Sequence, residues 1–455
     1  MHVHILGICG TFMGGIAAIA REAGYKVTGS DRAVYPPMSD QLRDLGVDVI
    51  EGFDVDQLDL NPDVFVIGNV MSRGMPVIEE ILNRKLPFCS GPAWLYEHIL
   101  KDRHVIAVSG THGKTTTTSI ATWILEHAGA DPGYLVGGVP ANFDVSARLG
   151  SDPYFVIEAD EYDTAFFDKQ AKFLNYRPTS LIINNIEFDH ADIYKDLDAI
   201  QWQFHQLLRM LPGDGHLVAN ANDSNIDELL ERGCWTPVSR FTASPDAGAA
   251  INTSEWTACR GEGGQLQIYH AGELQGECVW PHPGDYNIEN ALAALVTCHQ
   301  AGISLEDCLG GLGTYRGVKR RMELLGEFSG VRVYDDFAHH PTAIKRCLDG
   351  ARSICDGRLL AVLEPRSNTM KLGVHKDALA DALTPADAVW AYQSDELGWQ
   401  LGDVLDGADV TIASSVEDIV SAVTTAAEPG DSVVVMSNGG FGGIYGLLCK
   451  ALEDG

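Results

Sequence analysis

Residues 110–116 form a glycine-rich loop that contains one lysine and three threonines. The loop reads GTHGKTT and lies between the apolar run HVIAVS and the helix-compatible stretch TTSIATWILEHAG. In such a loop, backbone N–H groups surround phosphate oxygens, the lysine supplies charge, and the next hydroxyl binds magnesium. The pattern is two residues shorter than GxxxxGK[ST], and its strand–loop–helix context argues against a chance match. We predict that it binds ATP through Gly110, Thr111, His112, Gly113, Lys114, Thr115 and Thr116.

Two polar clusters follow later strand-like runs. EADEYD begins at Glu158 after PYFVI, and NNIEFDH ends at His190 after TSLII. Carboxylates suit magnesium, and parallel strands place their ligands at one edge of a sheet, so we expect Lys114, Glu158 and His190 to act together. The alternatives are a solvated acidic loop and a structural histidine.

Two further motifs contain candidate nucleotide contacts. In GDYNIEN, Asn287 and Asn290 are three residues apart on one helical face, where amides can pair with an adenine edge or cap the helix. KRR at 319–321 precedes YDDFAHHP at 334–341. A linker arginine there suits phosphate and a strand-end aspartate suits ribose, although an ordinary charged hinge and loop would have the same composition.

The N-terminus contains a second glycine pattern. Gly7, Gly10 and Gly14 follow the first apolar run, and Asp31 ends the second. The spacing differs from a dinucleotide fingerprint, but a helix N-terminus can bind any diphosphate. The alternative interpretation as an NAD-dependent dehydrogenase depends on these glycines alone. It gives the loop that contains Lys114 no role.

Three stretches in which a strand-like run leads into glycines divide the 455 residues. With polar linkers near 101–104 and 313–322, they predict domains at 1–102, 103–316 and 317–455. The predicted fold class is α/β, with a Rossmann-like N-terminal domain, a central P-loop ATPase-like sheet and a Rossmann-like C-terminal domain. Alternating residues between 233 and 280 predict antiparallel strands added to the central sheet.

The composition excludes several classes of partner. Sixty-three acidic and 32 basic residues give a net charge of −31, which argues against nucleic acid and anionic membranes as partners. The N-terminus MHVHILGICG has no features of a secretory signal, and no run of about 18 apolar residues follows, so we expect a cytoplasmic protein. None of the ten cysteines forms a CxxC pair, and we expect neither disulfides nor zinc.

The ordered set GICGTFMGG, GTHGKTT, EADEYD, NNIEFDH, GDYNIEN, RRMELLG and YDDFAHHP resembles the Mur ligase family across nearly the whole chain. This resemblance implies a domain for a UDP-sugar, a central ATPase domain, and a C-terminal domain that closes over ATP and binds the incoming amine. It implies that ATP phosphorylates a carboxylate, which an amine then attacks. It also implies UDP-N-acetylmuramate as the donor substrate, with ATP and Mg²⁺ as cofactors.

The resemblance also assigns roles to individual residues. It implies that Lys114 and Thr115 contact phosphates and magnesium, and that Glu158 and His190 contact magnesium. It implies that Asn287 and Asn290 contact adenine, that Arg321 contacts an ATP phosphate and that Asp336 contacts ribose. The residues that it implies for the UDP-sugar are Gly7, Gly10, Gly14 and Asp31. Tyr286 stands where relatives commonly have histidine, and Lys195 is not assigned as the carbamylated lysine of several relatives.

LEPRSNTMKLG and SNGGFGG resemble the recycling branch of the family. That branch attaches the murein tripeptide L-alanyl-γ-D-glutamyl-meso-diaminopimelate to UDP-N-acetylmuramate during peptidoglycan recycling. Arg366 and Asn368 are the candidate peptide contacts. The alternatives are a UDP-N-acetylmuramate:L-alanine ligase and a sugar-nucleotide sensor without catalytic activity.

Overall fold

The computed structural model describes residues 1–32, 34, 38–244, 248, 256–405 and 409–454. Its contacts divide the chain into two compact units. The first contains residues 1–187, 197–280 and 289–316, and the second contains 188–196, 281–288 and 317–455. Two short segments from the middle of the chain therefore group with the C-terminal part. The division into three domains at 102 and 316 stays a prediction.

A five-stranded parallel sheet begins the first unit, in the order β3-β2-β1-β4-β5. Its strands are β1 His2–Leu6, β2 Lys26–Asp31, β3 Asp48–Glu51, β4 Val64–Ile67 and β5 Phe88–Ser90. Its helices are α1 Thr11–Glu22, α2 Met38–Asp44, α3 Pro76–Asn83 and α4 Gly91–Leu95, with a 3-10 turn at Val55–Leu60 and a π turn at Tyr96–Leu100. This strand order is the one expected of a Rossmann-like domain.

Small residues let α1 pack closely. A Cβ on Gly15 would lie 2.3 Å from Leu135 Cδ1 and 3.2 Å from Ala147 Cβ, so any larger residue would push the helix away. Both of those neighbours belong to the second sheet of the same unit. The sequence GGIAAIA thus lets α1 pack against that sheet.

The second sheet of this unit has ten strands, in the order β17-β16-β15-β14-β13-β12-β6-β9-β7-β8. It is parallel from β15 to β7 and antiparallel at both ends. The strands are β6 His104–Ser109, β7 Pro132–Leu135, β8 Ala147–Arg148, β9 Ser151–Glu158, β12 Ser180–Ile183, β13 His216–Asn220, β14 Val238–Ala243, β15 Trp256–Arg260, β16 Gln265–His270 and β17 Glu273–Val279. The helices are α5 Lys114–His127, α6 Leu197–Leu208, α7 Ser224–Glu231, α8 Asp285–Gln300 and α9 Leu305–Thr314. The predicted additional antiparallel strands are β15 to β17.

A separate two-stranded hairpin links the two sheets of the first unit. It consists of β10 Asp163–Ala165 and β11 Asp168–Ala171, followed by a 3-10 turn at Lys172–Asn175. Ala165 is buried in the apolar cluster of the first sheet, and the rings of Phe167 and Phe88 are 4.9 Å apart, edge to face. The hairpin fixes residues near EADEYD against the N-terminal sheet.

The second unit contains a six-stranded sheet, in the order β18-β19-β23-β20-β21-β22. Only the β18–β19 pair is antiparallel, and apolar clusters cover both faces. The strands are β18 Glu323–Phe328, β19 Val331–Asp336, β20 Leu359–Leu363, β21 Ala388–Tyr392, β22 Val410–Ala413 and β23 Ser432–Met436. The helices are α10 Pro341–Arg352, α11 Asn368–Lys371, α12 Leu379–Leu383, α13 Val416–Ala426 and α14 Ile444–Asp454, with 3-10 turns at Lys376–Ala378, Leu401–Asp403 and Phe441–Gly443.

No helix within the described ranges is long and apolar enough to cross a bilayer.

Candidate active site

The lysine loop joins the central strand β6 to helix α5, as the sequence predicts. Gly113 is the N-cap of α5 and has a φ of 81°, in the left-handed region that favours glycine. A Cβ on Gly113 would lie 2.5 Å from Asn290 Oδ1 and 2.9 Å from Asn184 Nδ2. The loop therefore requires glycine for two reasons, its backbone conformation and the side chains packed beneath it.

Asn185 holds the loop in place. The N–H of Thr111 donates to its backbone oxygen at 3.1 Å, and the N–H of His112 donates to its Oδ1 at 2.7 Å. Thr111 Oγ1 also accepts from the N–H of Glu187 at 2.8 Å, and His112 Nε2 lies 3.3 Å from Glu187 Oε2. The end of the neighbouring strand β12 thus supports the loop, a role that we did not predict for Asn185.

Lys114 lies within a group of acceptors. Its Nζ donates to the backbone oxygen of Gly110 at 2.7 Å and to Glu161 Oε2 at 2.9 Å, and it lies 4.0 Å from Asp160 Oδ1. Burial alone would lower the pKa of Lys114, but the carboxylates of Glu161, Asp160 and Glu158 raise it above its usual value. The lysine is therefore a permanent cation beside the loop, as phosphate binding requires.

Glu158, at the end of β9, meets Thr115 in the first turn of α5. Thr115 Oγ1 donates to Glu158 Oε1 at 3.1 Å, and the N–H of Gly137 donates to Glu158 Oε2 at 2.7 Å. A hydroxyl and a carboxylate at this separation are the oxygen donors that Mg²⁺ prefers. The pair fits the predicted magnesium site: Thr115 and Glu158 would hold the ion, and the ion would supply positive charge to offset that of the phosphates.

A buried polar network lies beneath the loop. Asn290 Oδ1 accepts from Thr117 Oγ1 at 3.0 Å, and Asn184 Nδ2 donates to Thr117 Oγ1, also at 3.0 Å. All three side chains are buried. In the structure Asn290 therefore supports the first turn of α5, and its contact with adenine stays a prediction.

The N-terminal glycines form a tight turn before α1. Gly7 has a φ of 84°, Gly10 is the N-cap of α1, and the N–H of Gly14 donates to the Gly10 oxygen at 2.8 Å. Asp31 Oδ2 accepts from the N–H of Cys9 at 2.9 Å. Asp31, at the end of β2, thus holds the turn that leads into the N-terminus of α1, and the binding of a diphosphate there stays a prediction.

In the second unit, His190 lies in the segment 188–196. It has a φ of 55°, and its N–H donates to Asp189 Oδ1 at 2.7 Å. Thr369 Oγ1 donates to the same oxygen at 2.8 Å, and His375 Nε2 lies 3.0 Å from the Phe188 oxygen. Burial would raise the pKa of Asp189, but the charge of His190 and these hydrogen bonds hold it below its usual value. Lys114 and Glu158 belong to the first unit, so their expected action with His190 stays a prediction.

The nucleotide candidates of the second unit are in or next to buried surroundings. Asp336 accepts two backbone hydrogen bonds, from Ala338 and Met322, each at 2.7 Å, and its pKa is raised by burial. Arg321 lies 5.0 Å from the centre of the Phe337 ring.

Helix α8 is divided between the units: its residues up to Ile288, which include Tyr286 and Asn287, group with the second unit, and the rest groups with the first. Asn287 Nδ2 donates to the Pro283 oxygen at 2.7 Å, as a helix-start contact would. Burial raises the pKa of the neighbouring Tyr286 well above its usual value.

The peptide candidates also lie in the second unit. Arg366 is half exposed, with Nη1 3.9 Å from Glu364 Oε1, and a Cβ on Gly439 would lie 2.3 Å from the same Nη1. Asn368 Nδ2 donates to Asp192 Oδ2 at 3.0 Å, which links α11 to the segment that contains His190. Lys195, in the same segment, has a 91% exposed side chain.

Comparison with known protein families accounts for nearly the whole chain. Residues 2–103 match the Mur ligase family, catalytic domain; 108–298 match the Mur ligase middle domain; and 320–439 match the Mur ligase, glutamate ligase domain. The chain belongs to the Mur ligase family. It is therefore an ATP-dependent ligase of the ADP-forming class, and the predicted family, enzyme class and three-part α/β fold are confirmed.

Relatives within the Mur ligase family differ clearly in similarity. The UDP-N-acetylmuramate–L-alanyl-γ-D-glutamyl-meso-2,6-diaminoheptandioate ligase of Haemophilus influenzae is 48% identical over 99% of both chains. The UDP-N-acetylmuramate–L-alanine ligase of Rhizobium etli is 32% identical over 99% of this chain and 97% of its own. The crystal structure of a murein peptide ligase from Psychrobacter arcticus is 45% identical and covers 100% of this chain and 99% of its own, with a TM-score of 0.76.

Proposed function

We propose that the protein joins the tripeptide L-alanyl-γ-D-glutamyl-meso-diaminopimelate to UDP-N-acetylmuramate, with ATP as the energy source. The observation that carries this proposal is the 48% identity over the full length to the ligase named for these substrates, against 32% to the L-alanine ligase. The reaction belongs to peptidoglycan recycling, and we propose the cytoplasm, where ATP is supplied, as its compartment.

The chemistry requires activation because a carboxylate is a poor acyl donor. One oxygen of the lactyl carboxylate attacks the γ-phosphorus of ATP, a new carboxyl–phosphate bond forms, and the bond from phosphorus to ADP breaks. The neutral amine of the tripeptide then attacks the acyl carbon, the bond from that carbon to the phosphate oxygen breaks, and phosphate leaves with the proton that the amine loses. The products of the two steps are an amide, ADP and phosphate.

The residues of the first unit suit the first of these steps. Lys114 offsets the charge of the terminal phosphates, and the N-terminus of α5 adds its dipole. Thr115 and Glu158 would hold Mg²⁺, and Glu158 in turn is oriented by the N–H of Gly137. The turn at Gly7 and Gly10 would accept the diphosphate of the sugar nucleotide through backbone N–H groups, with Asp31 as its support.

For the second unit we propose the roles that the family resemblance implies. Arg321 binds an ATP phosphate, Asp336 binds ribose, and His190 contributes to the magnesium site. We further propose that Asn287 and Asn290 contact adenine. Arg366 and Asn368 bind the carboxylates of the incoming peptide, for which the half-exposed guanidinium of Arg366 is the stronger candidate.

The substrate assignment is tested by offering one amine at a time. The purified protein is incubated with ATP, Mg²⁺, UDP-N-acetylmuramate and either the tripeptide or L-alanine, and the release of ADP is followed. We expect ADP release with the tripeptide and a product whose mass equals both substrates less one water. Turnover with L-alanine alone would replace the proposal with the L-alanine ligase, and binding without turnover of either amine would favour a sensor.

A further inference from the structure

Lys172 is a largely covered cation next to the acidic motif. Its Nζ donates to Asp160 Oδ2 at 2.9 Å, and only 13% of its side chain is exposed. The same nitrogen lies 5.5 Å from the ring centres of both Phe12 and Tyr162. A lysine so well covered is uncommon in proteins, and two aromatic rings lie within cation–π distance of its ammonium.

The neighbours of Lys172 adjoin both predicted substrate sites. Asp160 accepts from Lys172 through Oδ2, and its Oδ1 lies 4.0 Å from Nζ of Lys114 in the phosphate loop. Phe12 is the second residue of α1, two positions after the glycine turn that would hold the sugar diphosphate. Lys172 thus contacts one residue that lies beside Lys114 of the ATP loop and another that follows the sugar-nucleotide turn, all within the first unit.

The fold fixes this position. The N–H of Lys172 donates to the Tyr162 oxygen at 3.0 Å, which closes the base of the β10–β11 hairpin. The tip of the hairpin packs against the N-terminal sheet through Ala165 and Phe167. The backbone of Lys172, directly after the hairpin, is therefore held near the N-terminal sheet, and its Nζ lies 5.5 Å from the ring centre of Phe12 at the start of α1.

We propose that Lys172 binds the carboxylate of the sugar nucleotide and holds it for attack on ATP. The inference rests on the proposed function, in which a carboxylate and a triphosphate must meet despite their like charges. Lys114 serves the phosphates, and Lys172 is the cation that serves the carboxylate. In the free protein the Asp160 carboxylate is its partner, and it stands in for the carboxylate of the substrate.

Lys172 needs no proton transfer in this role. It stays an ammonium while the carboxylate oxygen attacks the γ-phosphorus and the bond from phosphorus to ADP breaks. Its charge then stays beside the acyl-phosphate, whose remaining carbonyl oxygen accepts a hydrogen bond.

The test compares two nucleotides that differ in the carboxylate. UDP-N-acetylglucosamine has the same diphosphate and sugar as UDP-N-acetylmuramate but lacks the lactyl group. Dissociation constants for both are measured by calorimetry or competition with the wild type, Lys172→Met and Lys172→Gln. Lys169→Met is the matched control, because Lys169 lies on the same hairpin, forms an ion pair with Asp163 and is 68% exposed.

We expect Lys172→Met to weaken UDP-N-acetylmuramate binding about 10- to 100-fold, the effect of losing one charge-assisted hydrogen bond. Binding of UDP-N-acetylglucosamine and the KM for ATP should stay within about twofold, and Lys169→Met should match the wild type. The inference would be overturned if both nucleotides bound equally more weakly, or if the affinity for neither changed. If the methionine variant does not fold, the same comparison is made with Lys172→Gln. The binding measurement needs no turnover. If the ligase assay failed, the proposed function would be refuted, and the binding constants would still show whether Lys172 recognises the carboxylate.

Discussion

Replacing Gly113 with alanine should disable the phosphate loop while leaving most of the protein folded. The backbone at Gly113 has a φ of 81°, and placing an alanine there costs about 1–2 kcal/mol. The new Cβ would also overlap Asn290 Oδ1 at 2.5 Å and Asn184 Nδ2 at 2.9 Å. Both amides belong to a buried network, and overpacking of this kind costs about 1–3 kcal/mol.

The two costs sum to about 2–5 kcal/mol, and the loop can relieve them only by leaving its phosphate-binding conformation. If ATP must restore that conformation, the smaller figure alone lowers kcat/KM for ATP by about 30-fold. The assay is ADP release at varied ATP with saturating UDP-N-acetylmuramate and tripeptide.

Gly129→Ala is the control for the backbone cost. Gly129 follows the other end of the same helix with a φ of 75°, and a Cβ there would have no heavy atom within 4 Å. This variant should lose about 1–2 kcal/mol of stability and keep its kcat/KM for ATP. The proposed clash at Gly113 would be refuted if Gly113→Ala kept the wild-type kcat/KM for ATP. It would also be refuted if Gly129→Ala lost as much kcat/KM for ATP as Gly113→Ala.

Three further substitutions test other parts of the structure. Glu158→Gln should raise the Mg²⁺ concentration for half-maximal activity about tenfold or more, because an anionic oxygen is lost; an unchanged Mg²⁺ dependence would remove Glu158 from the metal site. His4 is buried, hydrogen-bonded to Thr28 and Gln57, and burial lowers its pKa to about 4. Between pH 6.5 and 4, His4 therefore binds a proton in the unfolded chain but not in the folded one. Between pH 7 and 5 the free energy of unfolding should fall by about 2 kcal/mol more in the wild type than in His4→Gln. Urea unfolding at both pH values measures this, and parallel losses would contradict it. Arg366→Ala should raise the KM for the tripeptide about tenfold with no change in the KM for ATP, and an equal KM for the tripeptide would exclude Arg366 from peptide binding.

Local sequence patterns predicted most of the fold. The second apolar run, which we predicted to end at Asp31, is strand β2 Lys26–Asp31, and the β6–loop–α5 unit around Lys114 is present as expected. These elements could be predicted because strand alternation, glycine turns and helix periodicity are local properties. The end of β9 could be placed next to the loop because parallel strands share one edge, which brought Glu158 to Thr115.

The contacts that sequence reasoning missed join residues far apart in the chain. Asn185 supports the phosphate loop from 73 residues away. The segment 188–196 groups with the second unit through Thr369 and His375, and the 163–171 hairpin packs against the first sheet. Neither association has a periodic signal, because each depends on side chains that meet only in the folded chain. Asn185 lies in the quoted motif NNIEFDH, so its residue type was the one available indication, whereas Lys172 lies between EADEYD and NNIEFDH and in neither motif.

The most direct test of carboxylate activation by ATP traces the oxygen atoms of the lactyl carboxylate. UDP-N-acetylmuramate labelled with ¹⁸O in the lactyl carboxylate is converted with ATP and tripeptide, and the phosphate and amide products are analysed by mass spectrometry. Attack of the carboxylate on the γ-phosphorus predicts that each released phosphate contains one labelled oxygen and each amide product retains one. Unlabelled phosphate, with both labelled oxygens still in the sugar nucleotide, would contradict activation of this carboxylate by ATP.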